Sequence, residues 1–139
     1  MKYLVDTSIC ISYLDEDTGW QNVEARVLNC RRGENGISAL SAVEFGMSVV
    51  VGQYRKTNRR QLRALMRLWR VLPFDDRAAA VAIELRVVLR RLGRRIGTMD
   101  ELIAAHALSL GLVCVTKNQR HFDRVPGLRV ENWLDPAPS

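Results

Sequence analysis

The sequence predicts an α/β fold in which a short parallel sheet is covered by helices on both sides. Three apolar runs have the length of buried strands: KYLV at 2–5, GISALS at 36–41 and LVCVT at 112–116. Segments with helical spacing alternate with them, and this alternation favours a parallel sheet. Because crossovers between parallel strands are right-handed, every strand ends at the same edge, where ligands bind in open α/β sheets.

The elements of the first half are delimited by caps and by glycine. In chain order they are a strand over 2–5, a helix capped by Ser8, a helix over 20–31, a strand over 36–41 and a helix that opens at Ser41. The helix over 20–31 has an apolar face and stops before Gly33. Ser41 and Glu44 have the spacing of a capping box, which predicts the start of the next helix.

The elements of the second half are also delimited by caps and by glycine. In chain order they are a basic helix over 57–70, a strand over 71–74, a helix over 77–93, a helix over 101–111, a strand over 112–116 and a short final strand near 130. Asp75 and Asp76 precede the long helix, and Gly93 closes it. Thr98 and Glu101 form a second capping box.

Length and composition indicate one globular domain. The chain has 139 residues, of which 47% are apolar and 26% charged, as in ordinary globular proteins. We expect a single domain over 1–134 and a C-terminal tail over 135–139. No apolar run is long enough to span a membrane, and an acid at position 6 comes too early for a signal peptide. The three cysteines lack the spacing of a metal site, so we expect free thiols and a cytoplasmic protein.

Positive charge is concentrated in one segment. The net charge is +6, but residues 55–95 contain 13 basic and three acidic side chains. Such a segment favours a phosphate-rich partner, although solvated helix faces rich in arginine would give the same count. On the predicted helix, Arg59 and Arg63 share a stripe with Arg67 and Arg70, so we expect them to contact nucleic-acid phosphates. A dimer contact is the alternative use of this stripe.

Three acids fall where the parallel sheet would bring them together. Asp6 follows the first strand, Glu44 lies in the first turn after the second, and Asp100 starts the helix before LVCVT. Each acid alone is explained by the helix dipole, but together they would repel one another unless a cation neutralised them. Oxygen ligands in a chain with only two histidines favour Mg²⁺ or Mn²⁺ over zinc. Such an ion suits phosphoryl chemistry on a nucleic acid.

Four further stretches carry a resemblance to a known family. They are D-T-S at 6–8, S-A-V-E-F-G at 41–46, I-G-T-M-D-E-L-I-A-A-H-A-L at 96–108, and V-T-K-N at 115–118 followed by H-F-D-R-V-P-G-L-R-V-E-N-W. Between residue 3 and about residue 134 the chain resembles PIN-domain ribonucleases, and most closely the VapC toxins of type II toxin–antitoxin systems. The resemblance implies a three-layer α/β/α fold with an acidic site at the carboxyl edge of the sheet.

The same resemblance implies an activity and partners. These are a Mg²⁺- or Mn²⁺-dependent endoribonuclease that cleaves structured RNA, with tRNA the expected target, a VapB-like antitoxin that neutralises it, and a homodimer. By position, Asp6 and Asp100 would bind the metal, with Glu44 the third catalytic acid and a further possible ligand. Asn118 holds the fourth position of the family pattern and brings an oxygen without a charge, so the number of metals stays open. The hydroxyls expected near metal and substrate are those of Thr7, Ser8 and Thr116.

Two other functions fit parts of the pattern. A non-catalytic nucleic-acid-binding module on the same fold would use the acids only as caps, but it would not require all three. A Mg²⁺-dependent phosphatase would use an aspartate nucleophile in a D-x-D turn, and D-T-S lacks the second acid.

The remaining polar residues are interpreted as structural. We expect His106 to pack on its helix, Asp75 to cap and Glu101 to pair with Thr98. His121 lies near Asn118 and could approach substrate, but the sequence pairs it with no nucleophile.

Overall fold

A five-stranded parallel sheet forms the centre of the molecule, in the order β3-β2-β1-β4-β5. The computed structural model describes residues 1–31, 33–51, 67 and 69–138, with the backbone alone at 48–51. The strands are β1 (Tyr3–Val5), β2 (Asn35–Ser38), β3 (Arg70–Leu72), β4 (Val113–Val115) and β5 (Val130–Glu131). Tyr3 pairs with Asn35 on one side and Val113 on the other, so β1 is the middle strand.

Helices cover both sides of the sheet. Within the described residues they are α1 (Thr7–Leu14), α2 (Trp20–Asn29), α3 (Ala39–Val51), α4 (Asp76–Arg91), α5 (Thr98–Leu110) and α6 (Gln119–Phe122). None of these is both long enough and apolar enough to cross a membrane. The three-layer α/β/α architecture predicted from the sequence is confirmed.

Successive residues of the middle strand belong to two separate cores. Leu4 packs into a cluster with Leu89 and Ile103, which belong to α4 and α5. Val5 packs into a second cluster with Ile9 of α1 and Phe45 of α3. Because successive side chains of a strand point to opposite faces, the three-residue strand β1 contributes side chains to both cores. The same strand then delivers the next residue, position 6, to the sheet edge.

The start of α3 differs from the prediction. The helix begins at Ala39 because Ser38 Oγ accepts the Leu40 N–H at 3.2 Å. Ser41 therefore lies inside the helix and is buried, so the predicted capping box with Glu44 is wrong. Glu44 is displaced to the second turn of α3.

The predicted capping box at α5 is also wrong. The N-cap is Gly97, at φ 106°, and Thr98 is already the first helical residue. Glu101 is fully buried and is bound by Arg86 and Arg95, at 3.2 Å and 3.0 Å from its Oε1. The Thr-x-x-Glu spacing thus marks a buried ion-pair cluster.

The predicted Ser8 cap of α1 is wrong, because Asp6 is the N-cap and Ser8 lies inside the helix. Two other structural interpretations are confirmed. Asp75 is the N-cap of α4 and accepts the Ala78 N–H at 3.0 Å. His106 is buried, with Nδ1 2.8 Å from Ser38 Oγ. The predicted helix over 57–70 lies mostly outside the described residues, as do Arg59 and Arg63 of its expected phosphate-binding stripe. The prediction is wrong for its last residue, because Arg70 begins β3. The one-turn helix α6 has no counterpart in the prediction.

Candidate catalytic site

Asp6 is the fixed centre of a polar cluster at the carboxyl edge of the sheet. It follows β1 directly, and its own N–H donates to Val115 of β4 at 2.8 Å. Its Oδ1 accepts the Thr7 N–H at 2.8 Å, while Oδ2 accepts the hydroxyls of Ser8 and Thr116, both at 2.9 Å. Burial raises the pKa of Asp6, and these hydrogen bonds oppose that rise. The side chain is only 4% exposed and is held in one orientation.

Glu44 reaches the same cluster from α3. The Thr7 hydroxyl donates to Glu44 Oε1 at 2.9 Å. Thr7 follows Asp6 in the chain, so one residue contacts two acids, by its N–H and by its hydroxyl. The middle residue of D-T-S thereby connects acids that are far apart in sequence.

Asp100 comes from the first turn of α5. Burial raises its pKa most, and the negative charge of Asp6 and then that of Glu44 raise it further. His121 instead lowers the pKa of Asp100. The influence of both other acids on Asp100 indicates that the three carboxylates lie within electrostatic range of one another.

The segment after β4 closes the cluster. Thr116 Oγ1 bonds Asp6, lies 3.4 Å from Ser8 Oγ and accepts the Asn118 N–H at 3.1 Å. The Asn118 side chain is exposed. The backbone carbonyl of Asn118 accepts the His121 N–H at 3.0 Å, and this hydrogen bond lies at the start of α6. Asn118 thus joins the cluster through its backbone.

His121 is a member of the cluster that sequence reasoning missed. Its Nδ1 lies 3.6 Å from Asp100 Oδ2, and about half of its side chain is exposed. The signal was present in the spacing N-x-x-H after β4, because one helical turn from Asn118 returns the third residue to the sheet edge. A four-residue helix is too short to show a periodicity of its own.

The donors around Asp6 and Asp100 fit a small divalent cation. The two carboxylates lie within electrostatic range of each other, since the charge of Asp6 raises the pKa of Asp100, and a cation would relieve this repulsion. Within the described ranges, no group of three or more His, Cys, Asp and Glu side chains is already arranged to hold a metal ion. The fit therefore depends on the chemistry of the donors.

Comparison with known proteins assigns the fold to a family. The model of the PIN domain matches residues 3–128. The chain belongs to the PIN-domain family. This PIN domain is 35% identical to the tRNA(fMet)-specific endonuclease VapC of Shigella flexneri over 133 residues, 96% of this chain and 98% of that protein.

Solved structures give the same assignment. The DNA-bound VapBC of Salmonella typhimurium matches with a TM-score of 0.84 and 31% identity, over 96% of this chain and 98% of that one. The VapBC2 of Rickettsia felis, bound to a DNA fragment from their promoter, matches with a TM-score of 0.83 and 29% identity, over 96% and 99%. This PIN domain is therefore an RNA-cleaving hydrolase of the VapC type, as its motifs indicated.

Proposed function

We propose that this PIN domain cleaves structured RNA, with tRNA as its substrate class, through Asp6, Glu44 and Asp100. The observation that carries the proposal is the convergence of these acids from β1, α3 and α5 on one sheet edge. The raised pKa of Asp100, caused by burial and then by Asp6 and Glu44, is the electrostatic sign of that convergence. The tRNA class is supported by the name of the Shigella flexneri relative.

Asp6 and Asp100 are the residues that would hold Mg²⁺, with Mn²⁺ as a substitute. When bound, such a cation would neutralise phosphate charge and make a water more acidic. Glu44 and the side-chain oxygen of Asn118 are further candidate ligands.

The chain's own groups would then orient the reaction. Ser8 and Thr116 hold Asp6 Oδ2, so we assign these hydroxyls to positioning the carboxylate. Thr7 holds Glu44 at the same edge, where its carboxylate can accept a proton from an attacking water. Arg59 and Arg63 are proposed to contact RNA phosphates on the sequence pattern alone.

We further propose that a small antitoxin inhibits the enzyme. The similar solved structures are VapBC complexes, which supports a partner of this kind. An arginine or lysine of the partner could form charge-assisted hydrogen bonds with the acids and exclude a cation from them.

Homodimer formation and location complete the proposal. Large apolar side chains are exposed on α3, at Val43 and Met47, and on α4, at Ile83 and Val87, and a second copy could cover them. The domain spans 1–134 with a tail at 135–139. The cysteines Cys10, Cys30 and Cys114 are free, which suits the reducing cytoplasm.

The decisive experiment is cleavage of a tRNA pool by the purified chain. Wild-type protein with Mg²⁺ or Mn²⁺ should produce defined RNA ends, and EDTA or the purified cognate antitoxin should abolish them. Sequencing of RNA ends after brief induction in cells should identify the same positions. Intact tRNA alongside cleavage of other RNAs would contradict the substrate class. RNA that the wild type cleaves and the Asp100→Asn variant leaves intact would support the site.

A further inference from the structure

We infer that His121 supplies a nitrogen donor to the cation position beside Asp100. The site would then be a mixed nitrogen–oxygen site that accepts Mg²⁺ but binds Mn²⁺ and later first-row metals more tightly than an oxygen-only site would. The inference rests on the proposed function, which needs a divalent cation at Asp6 and Asp100, and it adds the identity of a further ligand.

His121 lies within reach of an ion bound by Asp100. At 3.6 Å, Nδ1 and Oδ2 are too far apart for a good hydrogen bond. Two adjacent ligands that are each about 2.1 Å from one octahedral ion stand about 3.0 Å apart. A shift of the half-exposed imidazole by about half an ångström would bring Nδ1 to that distance from Asp100 Oδ2.

The backbone holds His121 at this position. Its N–H donates to the Asn118 carbonyl at 3.0 Å, and the Asn118 N–H donates to Thr116 Oγ1, which itself bonds Asp6. The next residue, Phe122, is fully buried in the core and fixes α6 against the sheet. The backbone of His121 is therefore connected to the acid cluster by a continuous set of contacts.

The chemistry of the donor decides which metal benefits. Mg²⁺ prefers oxygen ligands and keeps its waters, whereas affinity for a site with a nitrogen donor rises along the first-row divalent ions, with Mn²⁺ at the start of that series. The sequence pattern favours an oxygen-only site. In such a site His121 would have no effect on the choice between Mg²⁺ and Mn²⁺. A nitrogen ligand makes the ratio of Mn²⁺ to Mg²⁺ affinity depend on this one side chain.

Electron paramagnetic resonance of protein-bound Mn²⁺ tests the inference without an activity assay. The full-length chain is loaded with substoichiometric Mn²⁺, and electron spin-echo envelope modulation detects an imidazole nitrogen bonded to the ion. The chain has only two histidines, so the signal can be assigned. We expect nitrogen modulation in the wild type, its loss in His121→Asn, and its retention in His106→Asn, the matched control at a buried position outside the cluster.

Affinity measurements by calorimetry complete the test. His121→Asn should weaken Mn²⁺ binding by about tenfold or more, the lower limit typical even of outer partners of metal ligands, and should change Mg²⁺ binding less. His121→Asp should abolish the nitrogen modulation yet strengthen Mg²⁺ binding, since it makes the site oxygen-only. This variant also serves if His121→Asn folds poorly.

The outcomes separate the inference from the proposed function. Bound Mn²⁺ without nitrogen modulation in the wild type would overturn the role of His121 and leave the acid site intact. Mn²⁺ binding that survives in Asp100→Asn would instead overturn the proposed cation position. A wild type that binds neither Mn²⁺ nor Mg²⁺ would overturn both.

Discussion

The Thr7 hydroxyl donates a hydrogen bond to Glu44 Oε1 at 2.9 Å, across 37 positions of sequence. Thr7 is also the residue whose N–H binds Asp6, so the first turn of α1 sets the spacing between two of the three acids. This contact explains why a glutamate in the second turn of α3 points to the sheet edge. It also predicts that a small hydroxyl, and not the size of residue 7, matters for activity.

Replacing Thr7 by valine should lower kcat for RNA cleavage while the protein stays folded. Valine keeps the shape of threonine but removes the donor to Glu44, and one such hydrogen bond contributes about 0.5–1.5 kcal/mol, which corresponds to roughly a two- to tenfold loss of rate. Thr7→Ser retains the hydroxyl and should keep most of the activity. Single-turnover kinetics at saturating metal measure both variants, and equal rates for valine and serine would remove Thr7 from the positioning of Glu44.

Removing the negative charge of the acids should abolish cleavage without unfolding the protein. Asp6→Asn, Glu44→Gln and Asp100→Asn are each expected to be inactive. Burial, the largest cause, raises the pKa of Asp6 and of Asp100 in the folded state. The folded state therefore binds these protons more tightly than the unfolded state does.

The linked effect on stability has a definite sign. Metal-free wild-type protein should lose stability as pH rises through the ordinary aspartate range near 4 and on to the raised folded pKa values. At pH 7 the Asp6→Asn and Asp100→Asn variants should consequently match or exceed its melting temperature in EDTA. Asp123→Asn, at an exposed acid, is the control and should change little. A clear loss of stability in both site variants would mean that burial does not disfavour the ionised carboxylates in the folded protein.

Much of this site can be predicted from the sequence because strand ends and helix starts are readable. Asp6 directly follows β1, as the sequence predicts. Asp100 lies in the first turn of α5 although the predicted cap at Thr98 is wrong. Glu44 was placed correctly for a wrong reason, since Ser38 caps α3 three positions before the expected Ser41. Cap preference is a local rule, and two serines within one turn satisfy it equally well.

What the sequence could not reveal are contacts between distant residues. Glu101 fits a capping box by spacing, yet its partners are 15 and 6 residues away, at Arg86 and Arg95. The contact of His121 with Asp100 follows only from the one-turn helix α6 together with the position of Asp100. Tertiary packing decides both cases: the local spacing N-x-x-H returns His121 to the sheet edge, but it does not show that Asp100 is the neighbour there.

Buried His106 should make stability depend on pH near neutrality. Burial lowers its pKa, against the opposing effects of the Asp75 charge and the Pro73 carbonyl. Because the pKa of an unfolded histidine is about 6.5, the unfolded state gains a proton in weak acid that the folded state does not. Stability should therefore fall as pH drops from 7 through 6.5 toward the folded pKa.

The variant His106→Asn isolates this effect, since asparagine can still bond the Ser38 hydroxyl that faces Nδ1. Urea unfolding in EDTA at several pH values gives the free energy of unfolding for both proteins. The difference between wild type and variant should shrink as pH falls through this window. A difference that is constant with pH would mean that His106 is protonated equally in both states.

The Glu101 cluster should stabilise the start of α5, where Asp100 lies. Glu101 is fully buried, and its oxygens accept from Arg86, from Arg95 and from the Ile96 N–H. Burial alone would raise the pKa of Glu101, but Arg95, Ile96 and Arg86 outweigh it and hold that pKa below its usual value. Glu101→Gln keeps the size of the side chain and removes the charge that these donors bind.

We expect Glu101→Gln to lower the free energy of unfolding by about 1–3 kcal/mol, the cost of leaving buried polar groups poorly paired. The loss is smaller than for a fully buried ion pair because both arginines are partly exposed and can turn to water. Glu84→Gln, at an exposed position of α4, is the matched control and should be near neutral. Urea unfolding compares the two. If the Glu101 and Glu84 variants lose the same small amount, the cluster contributes no more than a surface charge, and the orientation of Asp100 must then depend on the packing of α5 against its neighbours.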